Sequence, residues 1–174
     1  MKNINQLILL LTALFYSALG NAMDVTVDID KFYSDNWNQE TKEMLDVAAL
    51  YYSFWDTGKE EYAKTALAND FTDLNLPESR AQGLRGVLAA SKQFRLALPD
   101  LSVDVQQVYI VGNKVIGQLL ITGHFTGTLG DKKGKGQKIS FTAVDIYTIK
   151  DGKIISNWHL EDNLTLMKQL GALE

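Results

Sequence analysis

Two hydrophobic periods divide the chain. From Asn38, a candidate N-cap, the apolar positions Met44, Val47, Ala48, Tyr51, Phe54 and Trp55 recur at helical spacing until Gly58 stops the pattern. This predicts an amphipathic, aromatic first helix. Residues 59–68 repeat the pattern over a shorter length with Tyr62, Ala63, Ala66 and Leu67, then run into an extended piece, 71–76, closed by Pro77. A third helix is predicted over 86–98, ending before Pro99 because the residue ahead of a proline avoids the helical region.

After Pro99 the period changes from 3.6 to 2. Residues 101–111, 114–125, 138–150 and 153–159 read as strands, the first pair joined at Gly112-Asn113 and the last at Asp151-Gly152, both hairpin dipeptides. The pattern is that of an antiparallel meander. Between the middle strands, 126–137 carries Gly127, Gly130, Gly134 and Gly136 with Lys132, Lys133 and Lys135, which predicts a long mobile loop. Leu164, Met167 and Leu170 close the chain on a short helix stopped by Gly171. Helices first and a four-stranded sheet second imply an α+β fold, with three helices packed on one face of a curved antiparallel sheet.

The N-terminus does not belong to that domain. Lys2 precedes a charge-free apolar run of 13 residues, 7–19, which ends in the small-residue segment 18–22. That is the pattern of a signal peptide, too short to span a bilayer, so residues 1–22 are expected to be a leader and 23–174 one domain, periplasmic or secreted and free of the membrane once cleaved after Ala22. Composition narrows the function. The 46% hydrophobic and 22% charged content is that of a chain with a core to bury. A net charge of -4 argues against a phosphate-binding surface, so no nucleic acid is expected as a partner. With 0 cysteines, thiolate catalysis and zinc-finger sites are excluded. The 2 histidines, His124 and His159, are too few for a histidine-rich metal site, so no metal is assigned. The glycines of 130–136 lack phosphate-loop spacing and precede no helix.

Within the strand from Lys138, one alternate set, Ile139, Phe141, Ala143, Asp145, Tyr147 and Ile149, is apolar apart from a single carboxylate. Asp145 is therefore expected to face inward. A carboxylate among apolar groups must be hydrogen-bonded or have a raised pKa, and either condition serves catalysis or fixes the sheet.

Several stretches in order, Asp70-Phe71-Thr72-Asp73, Gly83-Leu84-Arg85-Gly86, Leu98-Pro99-Asp100, Phe141-Thr142-Ala143-Val144-Asp145-Ile146-Tyr147, Asp151-Gly152-Lys153, Trp158, Asp162 and Gln169-Leu170-Gly171-Ala172, resemble the SnoaL-like polyketide cyclases, also called ester cyclases, of the NTF2-like superfamily. The resemblance covers most of the chain after residue 22. It implies a cone in which sheet and helices enclose one apolar pocket, cofactor-free acid/base chemistry on a hydrophobic carbonyl compound, and a homodimer. Many members carry histidines where this chain has Leu74 and Phe125, with His124 displaced by one position.

Asp162 resembles the acid/base aspartate of that family. As a base it needs desolvation beside an aromatic such as Trp158, with His159 able to share the proton. Alternatively, Glu161 and Asp162 form the negative first turn of the terminal helix. The candidate catalytic residues are thus Asp162, His159 and Asp145, and the candidate pocket-lining residues Trp158, Tyr51, Trp55, Tyr147 and Phe125. Two functions fit: an exported cyclase, isomerase or hydrolase with no cofactor acting on a small hydrophobic molecule, or a non-catalytic module using the same pocket or the sheet face to bind.

Overall fold

Residues 23–78 and 80–173 are described by the structure, a computed structural model. The expected leader, 1–22, lies outside the described residues. The elements run β1 Phe32–Ser34, α1 Gln39–Thr57, α2 Glu60–Ala66, β2 Leu67–Asp73, α3 Gly83–Ala97, β3 Ser102–Val111, β4 Lys114–Phe125, β5 Thr128–Leu129, β6 Lys132–Lys133, β7 Gln137–Lys150, β8 Lys153–Glu161 and α4 Asn163–Gln169. Helix α1 starts where the sequence places its cap. The Asn38 side chain accepts from Thr41 N–H, and the Thr41 hydroxyl accepts from Asn38 N–H, a reciprocal capping box. Its apolar stripe, Met44, Val47, Ala48, Tyr51, Tyr52 and Phe54, is buried against the sheet.

Six strands form one sheet in the order β1-β3-β4-β7-β8-β2. Strands β3, β4, β7 and β8 are the expected antiparallel meander. The two edges depart from it: β1 runs parallel to β3 and β2 parallel to β8. Alternation within a segment reports that it is a strand and which face is apolar, but carries nothing on which partner it meets across the fold, and three-residue β1 is too short to show a period.

The inward face of the sheet is covered by helices. Helix α4 joins the three expected ones on that face, seating Leu166 and Leu170 with Phe125, Ile139 and Phe141 in a second apolar cluster at one end of the cone. The segment 126–137 is more ordered than its composition predicts. It folds into the β5–β6 hairpin, and Gly127 N–H donates to the Ala97 carbonyl at 3.0 Å. A Cβ on Gly127 would lie 1.8 Å from the Leu96 carbonyl oxygen, so the glycine is there for close backbone approach at the end of α3. Among the described residues no helix is long and apolar enough to cross a membrane.

Candidate active site

Between the inward sheet face, α1, α3 and the segment joining β2 to α3 lies a cavity of about 890 Å³, its open mouth included. Most of its wall is apolar, with Trp55, Val87, Phe94, Leu119, Ile121 and Phe141 prominent. Its polar groups gather at one end: Asp73, Asp145, Asn157, His159 and Glu161, with exposed Arg80 also on the wall.

Asp145 stands where its alternation places it, 7% exposed on the inward side of β7. Tyr147 O–H donates to its Oδ2 at 2.8 Å and Asn157 Nδ2 donates to its Oδ1 at 3.4 Å. Burial pushes the carboxyl up to about 6, against the hydrogen bond from Tyr147 and the charge of His159, which pull it down. Such a group is ionised at neutral pH and still basic enough to take a proton.

Opposite Asp145 on β8 is His159, its register partner. The ring lies between two carboxylates, Nε2 3.1 Å from Asp73 Oδ2 and Nδ1 2.6 Å from Glu161 Oε1. Hydrogen bonding to Asp73 and then to Glu161 raises the imidazole to about 10, so at neutral pH it is an imidazolium donating at both nitrogens. Burial works to raise the Glu161 carboxyl, but the bond and charge of His159 outweigh it and hold the group below its ordinary value. On the α1 side, Tyr51 is fully buried; burial drives its phenol far above the ordinary value, which keeps it a neutral O–H donor.

Of the expected site residues, Asp145, His159, Tyr51 and Trp55 share the cavity wall. The others do not. Tyr147 lies behind that wall, packed between Tyr51 and Tyr52 at centroid distances of 5.4 and 5.3 Å, where its role is to hold Asp145. Phe125, at 0% exposure, belongs to the second apolar cluster. Trp158 is 38% exposed and lies off the cavity wall. Asp162 is fully solvent-exposed and caps α4, accepting from Thr165 N–H at 3.0 Å and from the Thr165 hydroxyl at 2.7 Å; these bonds hold its carboxyl below the ordinary range.

Asp162 lies beyond the end of β8 as the cap of α4, and Trp158 faces out because of a bulge. The β7–β8 register slips between Thr148 and Ile149, so Ile154 is buried on one side of the slip and Asn157 on the other. One inserted residue exchanges the faces of all the later ones, turning Asn157, His159 and Glu161 inward and Trp158 and Leu160 outward. The sequence pattern does not single out Asp73, Asn157 or Glu161 as site residues. A signal for Glu161 exists, since residues two apart on a strand share a face and His159 is itself a candidate.

The geometry has relatives. A crystal structure of a protein assigned as a polyketide cyclase from Bacillus cereus is 37% identical, with a TM-score of 0.77 over 85% of this chain and 95% of that one. A protein assigned as a SnoaL-like polyketide cyclase from Jannaschia sp. is 18% identical, with a TM-score of 0.70 over 80% of this chain and 99% of the other. An epoxide hydrolase from Mycobacterium tuberculosis, described as LEH-like, shares the fold at 16% identity and a TM-score of 0.57, over 76% and 92% of the two chains. By sequence, no curated protein is significantly similar. The family model described as SnoaL-like polyketide cyclase matches residues 45–170, a span that holds all four helices except the start of α1, the whole meander and the carboxylate-lined cavity. The chain belongs to the SnoaL-like polyketide cyclase family.

Proposed function

We propose that the protein catalyses proton transfer at a carbon next to a carbonyl in a small hydrophobic compound, a cyclase- or isomerase-type reaction needing no cofactor, with Asp145 as the base. The observation that carries this reading is Asp145, buried at the polar end of an otherwise apolar cavity and raised to about 6, set against an imidazolium that Asp73 and Glu161 hold protonated. Asp145 takes the proton and the C–H electron pair moves onto the carbonyl oxygen. The Tyr51 O–H, on the same cavity wall, is the neutral donor available to the developing enolate. The enolate carbon then adds to a second carbonyl, whose oxygen takes the proton back from Asp145, or the enolate is reprotonated at another carbon by the carboxylic acid of Asp145; either way the carboxylate is restored. His159 stays an imidazolium throughout, keeping Asp145 ionised at neutral pH. A base of this strength limits the substrate to a C–H acidified by a carbonyl together with a second carbonyl or an adjoining aryl ring.

The protein acts outside the cytoplasm on this reading, the leader pattern of 1–22 being its support. Two copies pair through the outer sheet face. There, register partners line up Tyr33, Tyr109, Ile116, Ile146 and Trp158 in a row across five strands, with Leu160 58% exposed beside it and no charged side chain in that row.

The test is solvent exchange. Incubated with an apolar ketone such as 2-tetralone in D2O, the protein is expected to speed deuterium incorporation next to the carbonyl, read by proton NMR. A panel of apolar ketones and 1,3-dicarbonyl compounds exchanging at the buffer rate contradicts the proposal and leaves the cavity as a binding site.

A further inference from the structure

The polar end of the cavity is held by residues that the proposed chemistry does not use. Beyond Asp73, β2 parts from β8, yet the pairing with β8 continues. Leu74 N–H donates to the Asn157 carbonyl at 2.8 Å. The side-chain carboxamide of Asn75 then stands in for a peptide group: its Oδ1 accepts from His159 N–H at 3.0 Å, and its Nδ2 donates to the His159 carbonyl. One carboxamide thus satisfies both main-chain groups of His159 on the side where β2 has ended. Gln82 does the same for Asp73, accepting from its N–H at 2.9 Å and donating to its carbonyl at 2.8 Å. The two residues of the Asp73–His159 pair are each clipped at the backbone by an amide side chain from the segment that joins β2 to α3.

We infer that Asn75 is a positioning residue for His159, its paired main-chain hydrogen bonds setting the imidazole within reach of both Asp73 and Glu161 while Gln82 fixes the Asp73 side of the same pair. The geometry stands by itself; its consequence for catalysis rests on the proposed acid/base reading of the cavity. Charge-assisted hydrogen bonds weaken steeply when a partner is displaced, and a main chain released by about 1 Å carries its ring with it. The groups that bear on the ring are Asp73 from β2, Glu161 from β8 itself and Asp145 from β7, with Arg80 from the joining segment acting on Glu161.

The experiment is a titration of the two histidine rings by nitrogen-15 NMR in the full chain, with His124 as the internal reference. In the parent protein His159 is expected to keep its proton until about pH 10. In Asn75→Ala the midpoint should fall by about one pH unit or more, as the ring loses its fixed place between the carboxylates. A residue serving only local stability would lower the unfolding temperature and leave the His159 midpoint where it was. That result in folded Asn75→Ala overturns the inference. Should this variant fail to fold, Gln82→Ala carries the same expected fall and the same contradiction. No substrate enters the measurement, so its failure is distinct from a failure of Asp145 as the base, which exchange assays decide.

Discussion

Asp145 and His159 face each other across the β7–β8 ladder at a position where the two backbones are not hydrogen-bonded to one another, because both main-chain groups of His159 are given to Asn75. Side chains are closest at such positions. The pair therefore brings a carboxylate and an imidazolium together on one wall of an apolar cavity, where Asp73 and Glu161 hold the ring protonated and its charge lowers the carboxyl that burial has raised.

The first expectation is a stability profile. The folded-state pKa of His159, about 10, lies above its ordinary 6.5, so its contribution is fully present below about pH 6.5 and is lost as pH rises through about 10. Asp145 acts with the same sign lower on the scale: raised from 3.8 to about 6, it favours the folded state below 3.8 and loses that contribution as pH rises through 6. Thermal unfolding followed by circular dichroism should give a midpoint that falls between about pH 6.5 and 10. The slope should flatten in His159→Gln. A midpoint that climbs over this window in the parent protein contradicts the protonated, doubly bonded ring.

Gly117 lies opposite Asp145 on β4, and a Cβ there would stand 2.0 Å from the Tyr52 hydroxyl oxygen. Tyr52 is completely buried against Tyr147, the residue that holds Asp145. Gly117→Ala should cost about 1–3 kcal/mol through overpacking, lowering Tm by roughly 2–4 °C per kcal/mol in a domain of this size. An unchanged calorimetric Tm shows that the tyrosine cluster yields freely.

Phe125 tests the difference between core and cavity. Buried with Leu166 and Leu170 rather than on the cavity wall, it should cost about 3–5 kcal/mol when cut to alanine while leaving the affinity of a cavity ligand unaltered. Denaturant unfolding and ligand titration on the same sample read both. Weakened binding with full stability places the residue at the ligand instead.

On the outer face, Trp158→Glu sets a charge at the β8 end of the Tyr33–Tyr109–Ile116–Ile146 row. The parent protein is expected to sediment as a dimer and the variant as a folded monomer. Equal sedimentation of the two, in either state, removes this face as the interface.

How much of the fold and the site is legible in the sequence depends on which interactions are local. The cap at Asn38, the stop at Gly58 and the β3–β4 and β7–β8 hairpins are set by neighbours in sequence, and the structure has them where the pattern puts them. The inward face of β7 is legible because no irregularity interrupts its alternation over residues 139–147, and Asp145 accordingly stands where the alternation places it. On β8 the same reasoning fails. The bulge beyond Lys153 changes which side chains face in, and nothing in Ile154-Ile155-Ser156 announces the extra residue. Pattern therefore passes over Asn157 and Glu161, while Trp158 and Asp162, which the family resemblance places at the pocket, stand off its wall. Asp73 and Asn75 meet His159 only through the parallel pairing of β2 with β8, a contact between segments more than 80 residues apart.

The most direct test of Asp145 as the base sets two aspartates against each other. Deuterium exchange next to the carbonyl of 2-tetralone, or of whichever apolar ketone the parent protein accepts, is followed from about pH 5 to pH 8 in the parent, Asp145→Asn and Asp162→Asn proteins. The parent rate is expected to rise with pH through about 6, the value of the buried carboxyl. A loss of about 100-fold or more is expected in Asp145→Asn, with an unaltered rate in Asp162→Asn, whose side chain only caps α4. Loss of exchange in Asp162→Asn with the rate retained in Asp145→Asn contradicts the assignment.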